Sequence, residues 1–143
     1  MGTASRLAPT GAPATVTALR LMSSARRVLG EARIARDPLE RYAFAHLAAL
    51  RAAAALLADR ARPVVGRPRR PTSVWTLLVA IAPELEPWTC YFAAGAGKRA
   101  AAEAGMRGAV TTREADDLVR DAEAFLGVIE STLGLLALPM AAG

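Results

Sequence analysis

Two side chains in the stretch ERYAFAHLAAL, residues 40–50, are of types that do chemistry together: Arg41 and His46, the only histidine of the chain. In metal-independent RNA cleavage a histidine can carry the proton of an attacking 2′-hydroxyl or of the leaving oxygen, while an arginine neutralises the charge that grows on the phosphate. Their spacing is less favourable than their types. Five helical steps of about 100° set the two side chains about 140° apart, so one helix aims both at one phosphate only with distortion or the help of a second subunit. The competing reading makes His46 a neutral imidazole on an apolar helix face, hydrogen-bonded to a neighbouring helix, and Arg41 a solvated residue near a helix start. That second reading is the preferred one.

Other motifs carry less. The segment FAAGAGKR, residues 92–99, has the glycines and lysine of a phosphate loop, but Phe92 stands where the first glycine is required and Arg99 follows Lys98 in place of serine or threonine. Gly95 and Gly97 read instead as close-packing points or a local bend, and Lys98 with Arg99 as a solvated face. Cys90, set among aromatics, reads as a small core hydrophobe. Asp116 and Asp117 diverge on a helix and read as solvated. One cysteine and one histidine make no cluster of zinc or iron ligands, so neither a metal nor another cofactor is expected. The segment RARPVVGRPRRP, residues 60–71, holds Arg60, Arg62, Arg67, Arg69 and Arg70 without an acid. Clustered guanidinium groups need only meet phosphates, which makes these five the candidate nucleic-acid-binding residues.

The elements that position these residues are helices. A chain of 143 residues rich in alanine, leucine and arginine, with 5% aromatics, shows no strand-like alternation and has room for one hydrophobic core. The first helix is expected over about Ala14–Ala35, with Leu21, Met22, Ala25, Val28, Leu29 and Ala32 as its apolar stripe. Asp37, Pro38 and Glu40 mark the start of the second, whose inward stripe is expected to be Leu39, Ala43, His46, Leu50, Ala54 and Leu57. Three prolines and a glycine in the arginine segment end it. Ser73 caps a short helix with Val74, Trp75, Leu77, Leu78 and Ile81, closed by Pro83. A fourth helix is expected from about Glu84 or Pro87 to Ala104, stopped at Gly105, and a fifth is opened by the capping box of Thr111 and Glu114, with Leu118, Ala122, Phe125, Ile129 and Leu133 inside. The pattern predicts an all-α, antiparallel up-and-down bundle of four long helices and a short extra one over residues 14–134, between a flexible leader, 1–13, and a tail, 135–143.

Charge divides along the chain. Residues 1–70 carry +9 and residues 71–143 carry −4, for a net charge of +5, and Lys98 is the single basic residue that is not arginine. A reducing cytoplasm fits one cysteine, no signal-peptide core is present, and no stretch is expected to reach the roughly 20 apolar residues of a membrane span.

The segments RYAFAHLAALRAAAALL, SVWTLLVAIAPEL, EPWTCYFAAGAGKRAAAEAG and TTREADDLVRDAEAFLGVIESTLG, in that order, resemble the HEPN superfamily (higher eukaryote and prokaryote nucleotide-binding domains), most closely its small actinobacterial SAV-type subfamily, over about residues 15–134. The resemblance implies an antiparallel helical bundle that dimerises. In many relatives it also implies an RNase whose arginine is followed, after four to six residues, by histidine, a spacing that Arg41 and His46 satisfy. The relatives' pair stands near the start of a late helix, where this chain has Arg113 and Glu114 and no histidine after them. The reading that follows is a cytoplasmic homodimer that binds RNA, nucleotide or a protein partner without catalysis. Its alternatives are a metal-independent endoribonuclease acting across the dimer through Arg41 and His46, and a module for protein interaction alone.

Overall fold

The computed structural model describes residues 14–60 and 73–135. The leader, most of the arginine segment and the end of the tail lie outside the described residues. Six α-helices follow in order: α1 Val16–Ile34, α2 Pro38–Arg60, α3 Val74–Ile81, α4 Glu86–Ala94, α5 Ala96–Glu103 and α6 Thr112–Thr132, with a 3-10 turn at Pro83–Leu85 before α4. No strand occurs among the described residues.

Local chemistry sets the boundaries. Thr15 accepts from the Ala18 amide (3.1 Å) and Ser73 from Thr76 (3.1 Å). At the start of α6, Thr111 accepts from Glu114 N (3.0 Å) while the Glu114 carboxylate accepts from Thr111 N (2.9 Å), a complete capping box. Asp37 holds the Leu39 amide (2.9 Å), but Glu40 makes no return bond among the described residues, so the acidic capping box expected there is half formed. Gly105, at φ 75°, ends α5: Met106 N reaches Ala101 O and Gly105 N reaches Ala102 O, each at 3.0 Å.

Polar contacts fix the directions. The start of α1 lies beside the end of α2 (Thr15 N to Asp59 Oδ1, 3.2 Å), so these helices are antiparallel. The middle of α1 meets the later half of α6 through Arg26, which donates to Glu123 at 3.0 Å and Glu130 at 2.5 Å. Down the other side, Tyr91 of α4 meets Asp121 of α6 and Lys98 of α5 meets Glu114, so the α4–α5 arm runs against α6. The result is the up-and-down bundle expected, with α2 and α6 pointing one way, α1 and the α4–α5 arm the other.

Three expectations change in detail. The fourth long helix is broken at Gly95 into α4 and α5, because its backbone there passes against α2 at Tyr42 and His46. The buried face of α2 is also wider than the expected stripe: Tyr42, Ala45, Ala48, Ala49, Ala52, Ala53, Ala55 and Leu56 join Leu39 and His46 inside, whereas Ala43, Leu50, Ala54 and Leu57 are half-buried. Four helices, α1, α3, α5 and α6, pack around α2, and alanine permits a close approach on more than one side. Long and apolar, with a mean hydropathy of 1.2 over 18 residues, α2 does have the length and composition of a membrane span, contrary to the expectation; in the bundle its apolar surface faces those four neighbours.

The core reaches its greatest density of rings where α3, α4 and α6 meet. Trp75 stacks on Phe92 (5.4 Å between centroids), and Phe92 meets Phe125 at 5.0 Å. Burial of such side chains contributes about 1.5–3 kcal/mol each relative to exposure. His46 sits at the edge of this cluster.

Candidate functional site

Arg41 and His46 take their partners in different places. The α1–α2 connection leaves the Ala35 carbonyl without a helical donor, and Arg41, one turn into α2, folds back onto it with Nε (3.1 Å) and Nη2 (2.7 Å). Its Nη1 donates to Asp116 of α6 (2.6 Å). The guanidinium therefore ties the turn between α1 and α2 to the start of α6, with its side chain 19% exposed, so it is not the solvated residue expected.

His46 faces inward, 1% exposed. Its Nε2 lies 2.8 Å from the Phe92 carbonyl, which can only accept, so Nε2 carries the hydrogen and Nδ1 keeps a lone pair. No group among the described residues bonds Nδ1. Burial holds the imidazole below its ordinary pKa of 6.5, against the opposing pull of the Phe92 carbonyl, and the ring is neutral at pH 7. A neutral, buried ring bonded to a neighbouring helix is the environment anticipated for it. Arg41 does not enter that environment.

The break at Gly95 opens a cavity beside the ring. A Cβ added at Gly95 would stand 2.8 Å from the Tyr42 hydroxyl and 3.4 Å from His46 Cδ2, so a glycine is needed for the chain to pass. Gly97 meets nothing within 4 Å and has no such role. The cavity, about 330 Å³, is lined by Tyr42 and His46 of α2, Tyr91 and Lys98 of the broken arm, and Glu114 and Asp117 of α6. Lys98 Nζ donates to Glu114 (2.5 Å), which lowers the carboxyl's pKa and raises that of the ammonium. The Tyr91 hydroxyl donates to Asp121 (2.5 Å), and burial first, then that carboxylate, pushes the phenol's pKa up. Burial likewise raises Tyr42, whose hydroxyl has no partner among the described residues.

Sequence reading placed Lys98 and Asp117 on solvated faces and Tyr91 in an aromatic patch anchoring the core, whereas Tyr91 is exposed, and it named neither tyrosine as a site residue. Three separate helices supply the lining, so no spacing within one segment reveals it. The one local signal was a glycine interrupting an otherwise good helix.

The remaining candidates divide. Arg60 lies at the end of α2, with Nη1 3.3 Å from Glu84, while Arg62, Arg67, Arg69 and Arg70 lie outside the described residues. Cys90 is exposed and not in the core, because Thr89 and Phe92 take the inward positions of α4 and leave their neighbour on the outside. Among the described residues no three His, Cys, Asp or Glu side chains are grouped to hold a metal ion.

Residues 32–130 match the family model described as SAV_6107-like HEPN. No curated protein and no solved structure matches the chain. The matched span runs from the last turn of α1 into the last turn of α6, so it includes Arg41, His46 and every residue that lines the cavity. A match over that much of an all-helical chain makes the protein a member of the SAV_6107-like HEPN family.

Proposed function

We propose that this HEPN protein is a non-catalytic binding module that meets the phosphates of RNA or of a nucleotide through its arginine-rich half. The observation that carries the reading is the separation of Arg41 from His46: one guanidinium holds Ala35 and Asp116, while the buried imidazole holds Phe92. A phosphate placed against either would have to displace those bonds first. The arginine excess supplies the attraction. Residues 1–70 carry +9, and Arg20, Arg27 and Arg36 are exposed without an acidic partner among the described residues. We include in the proposal that the module acts in the cytoplasm as a homodimer. Val16, Leu19 and Ile34, exposed on α1, offer apolar surface that a second copy would cover.

The test is paired. Fluorescence anisotropy with a labelled single-stranded RNA is expected to show affinity that falls with salt by a log–log slope of about −0.7 per neutralised phosphate, and that weakens when Arg67, Arg69 and Arg70 are changed together to alanine. The same RNA incubated with the protein in a chelator is expected to stay intact. Cleavage that disappears in a folded His46→Gln variant would replace this reading with the endoribonuclease. Salt-insensitive or absent RNA and nucleotide binding, with a co-purifying protein, would replace it with the protein-interaction module.

A further inference from the structure

We propose that the cavity between α2, the α4–α5 arm and α6 binds a small organic cation bearing N–H donors, an ammonium or guanidinium compound, with Asp117 as its counter-charge and the Tyr42 and Tyr91 rings as its walls. This site is separate from the arginine segment and opposite to it in charge preference.

Three observations converge. The volume, about 330 Å³, is of the size that small-molecule sites have. Tyr42 is 6% exposed, yet its hydroxyl has no partner among the described residues and stands at Gly95, on the cavity wall. His46, 1% exposed and also lining the cavity, keeps an unpartnered acceptor at Nδ1. A buried polar atom is rarely left unbonded, as His46 Nδ1 is, and the Tyr42 hydroxyl, one turn earlier on the same helix, stands at the cavity wall free to bond a ligand.

The charge of the lining selects the ligand. Lys98 and Glu114 neutralise each other across 2.5 Å, which leaves the Asp117 carboxylate in excess. Asp117 is held from outside by Arg120 and, at 3.9 Å, by Arg113, but these side chains are 70% and 89% exposed, and exposed pairs of this kind are readily exchanged. The phenol rings attract a cation through their π faces. An N–H donor can satisfy a carboxylate or the Tyr42 hydroxyl oxygen, whereas an anion would meet two carboxylates and an ammonium already bonded.

Agmatine, which carries a guanidinium and an ammonium, is the probe, with N-butylurea as its neutral counterpart and inorganic phosphate as the anion. Calorimetry on the full chain is expected to give saturable agmatine binding, no heat with the other two, and a shift of the His46 ring resonances on addition of agmatine. Asp117→Asn, at a half-exposed position that leaves the core intact, is expected to weaken agmatine by about tenfold or more with the melting temperature held. Gly95→Ala, checked for folding, is expected to weaken it too by crowding Tyr42. Equal binding of N-butylurea, unchanged affinity in Asp117→Asn, a response to phosphate alone, or no saturable binding of agmatine would each overturn the proposal. RNA affinity measured on the same variants reports separately on the phosphate-binding reading, since Asp117 and Gly95 take no part in it.

Discussion

The two sides of α2 are built differently. Toward α1 and α6 the seam is closed with alanine and leucine, and its polar rim is tied off: Arg26 holds Glu123 and Glu130, Arg33 also reaches Glu123, and Arg51 donates to Ser24 (2.7 Å). Toward the α4–α5 arm the seam holds rings, a broken helix, a cavity and a histidine. Both buried side-chain atoms left without a bond among the described residues, His46 Nδ1 and Arg99 Nε, belong to helices of this second seam. A seam of small apolar groups can close until nothing is left over. A seam that must place directional polar groups closes less completely, and what remains is a space with chemistry around it.

The largest effect is expected where the second seam depends on one residue. His46→Ala removes a buried ring and its bond to the Phe92 carbonyl, which keeps only the Gly95 amide, at a cost of about 3 kcal/mol in urea denaturation. The same ring gives the stability a pH dependence of defined sign. Its folded pKa lies below 6.5, so as pH falls past 6.5 the unfolded chain takes up a proton that the fold refuses. Stability is full above that value and declines below it, by at most about 1.4 kcal/mol per pH unit, until the folded ring itself titrates. A slope of opposite sign that vanishes in the alanine variant would show the ring to be charged inside the fold.

Next in size is a direct contrast between the seams. Ala49→Leu, at a position of zero exposure, is expected to cost about 2–3 kcal/mol through overpacking, whereas Ala94→Leu, exposed at the cavity, is expected to cost less than about 0.5 kcal/mol. Equal costs would erase the distinction. Gly95→Ala is expected to cost about 1–2 kcal/mol and to cost less in a Tyr42→Phe background, since the hydroxyl is the atom its methyl would strike. The smallest effect belongs to the rim. Arg26→Ala is expected to lose about 1 kcal/mol, shrinking in high salt, because the guanidinium is 35% exposed while its partner Glu130 is more covered.

How much of this could be read from sequence depended on the kind of information. Caps are local, so Ser73 and the Thr111–Glu114 box were legible three residues at a time. The stripe of α6 was legible because Leu118, Phe125 and Ile129 contrast with Asp116, Asp117 and Asp121 around the same helix. On α2 that contrast is weak: alanine occupies nearly every side of its middle turns, and hydrophobic periodicity chooses a face poorly where Arg51 is the single charged residue between Tyr42 and Ala58. His46 was placed inside correctly from its neighbours. The direction taken by Arg41 was hidden, because it follows from the Ala35 carbonyl six residues earlier and from Asp116, 75 residues away. The cavity needs α2, α4, α5 and α6 to be brought together, and nothing within any one of them announces the other three.

The alanines of α2 have a consequence for how this chain can change over generations. Alanine abundance next to so many arginines looks like a by-product of base composition, and on solvent-facing turns nothing opposes that view. Along Ala45, Ala48, Ala49, Ala52, Ala53 and Ala55, however, each methyl group is enclosed completely. Any codon change there that enlarges the side chain must push a neighbouring helix away, and the one smaller residue loosens the helix itself. The sequence of this segment is thus held in place from both directions, by interhelical distance above and by backbone freedom below.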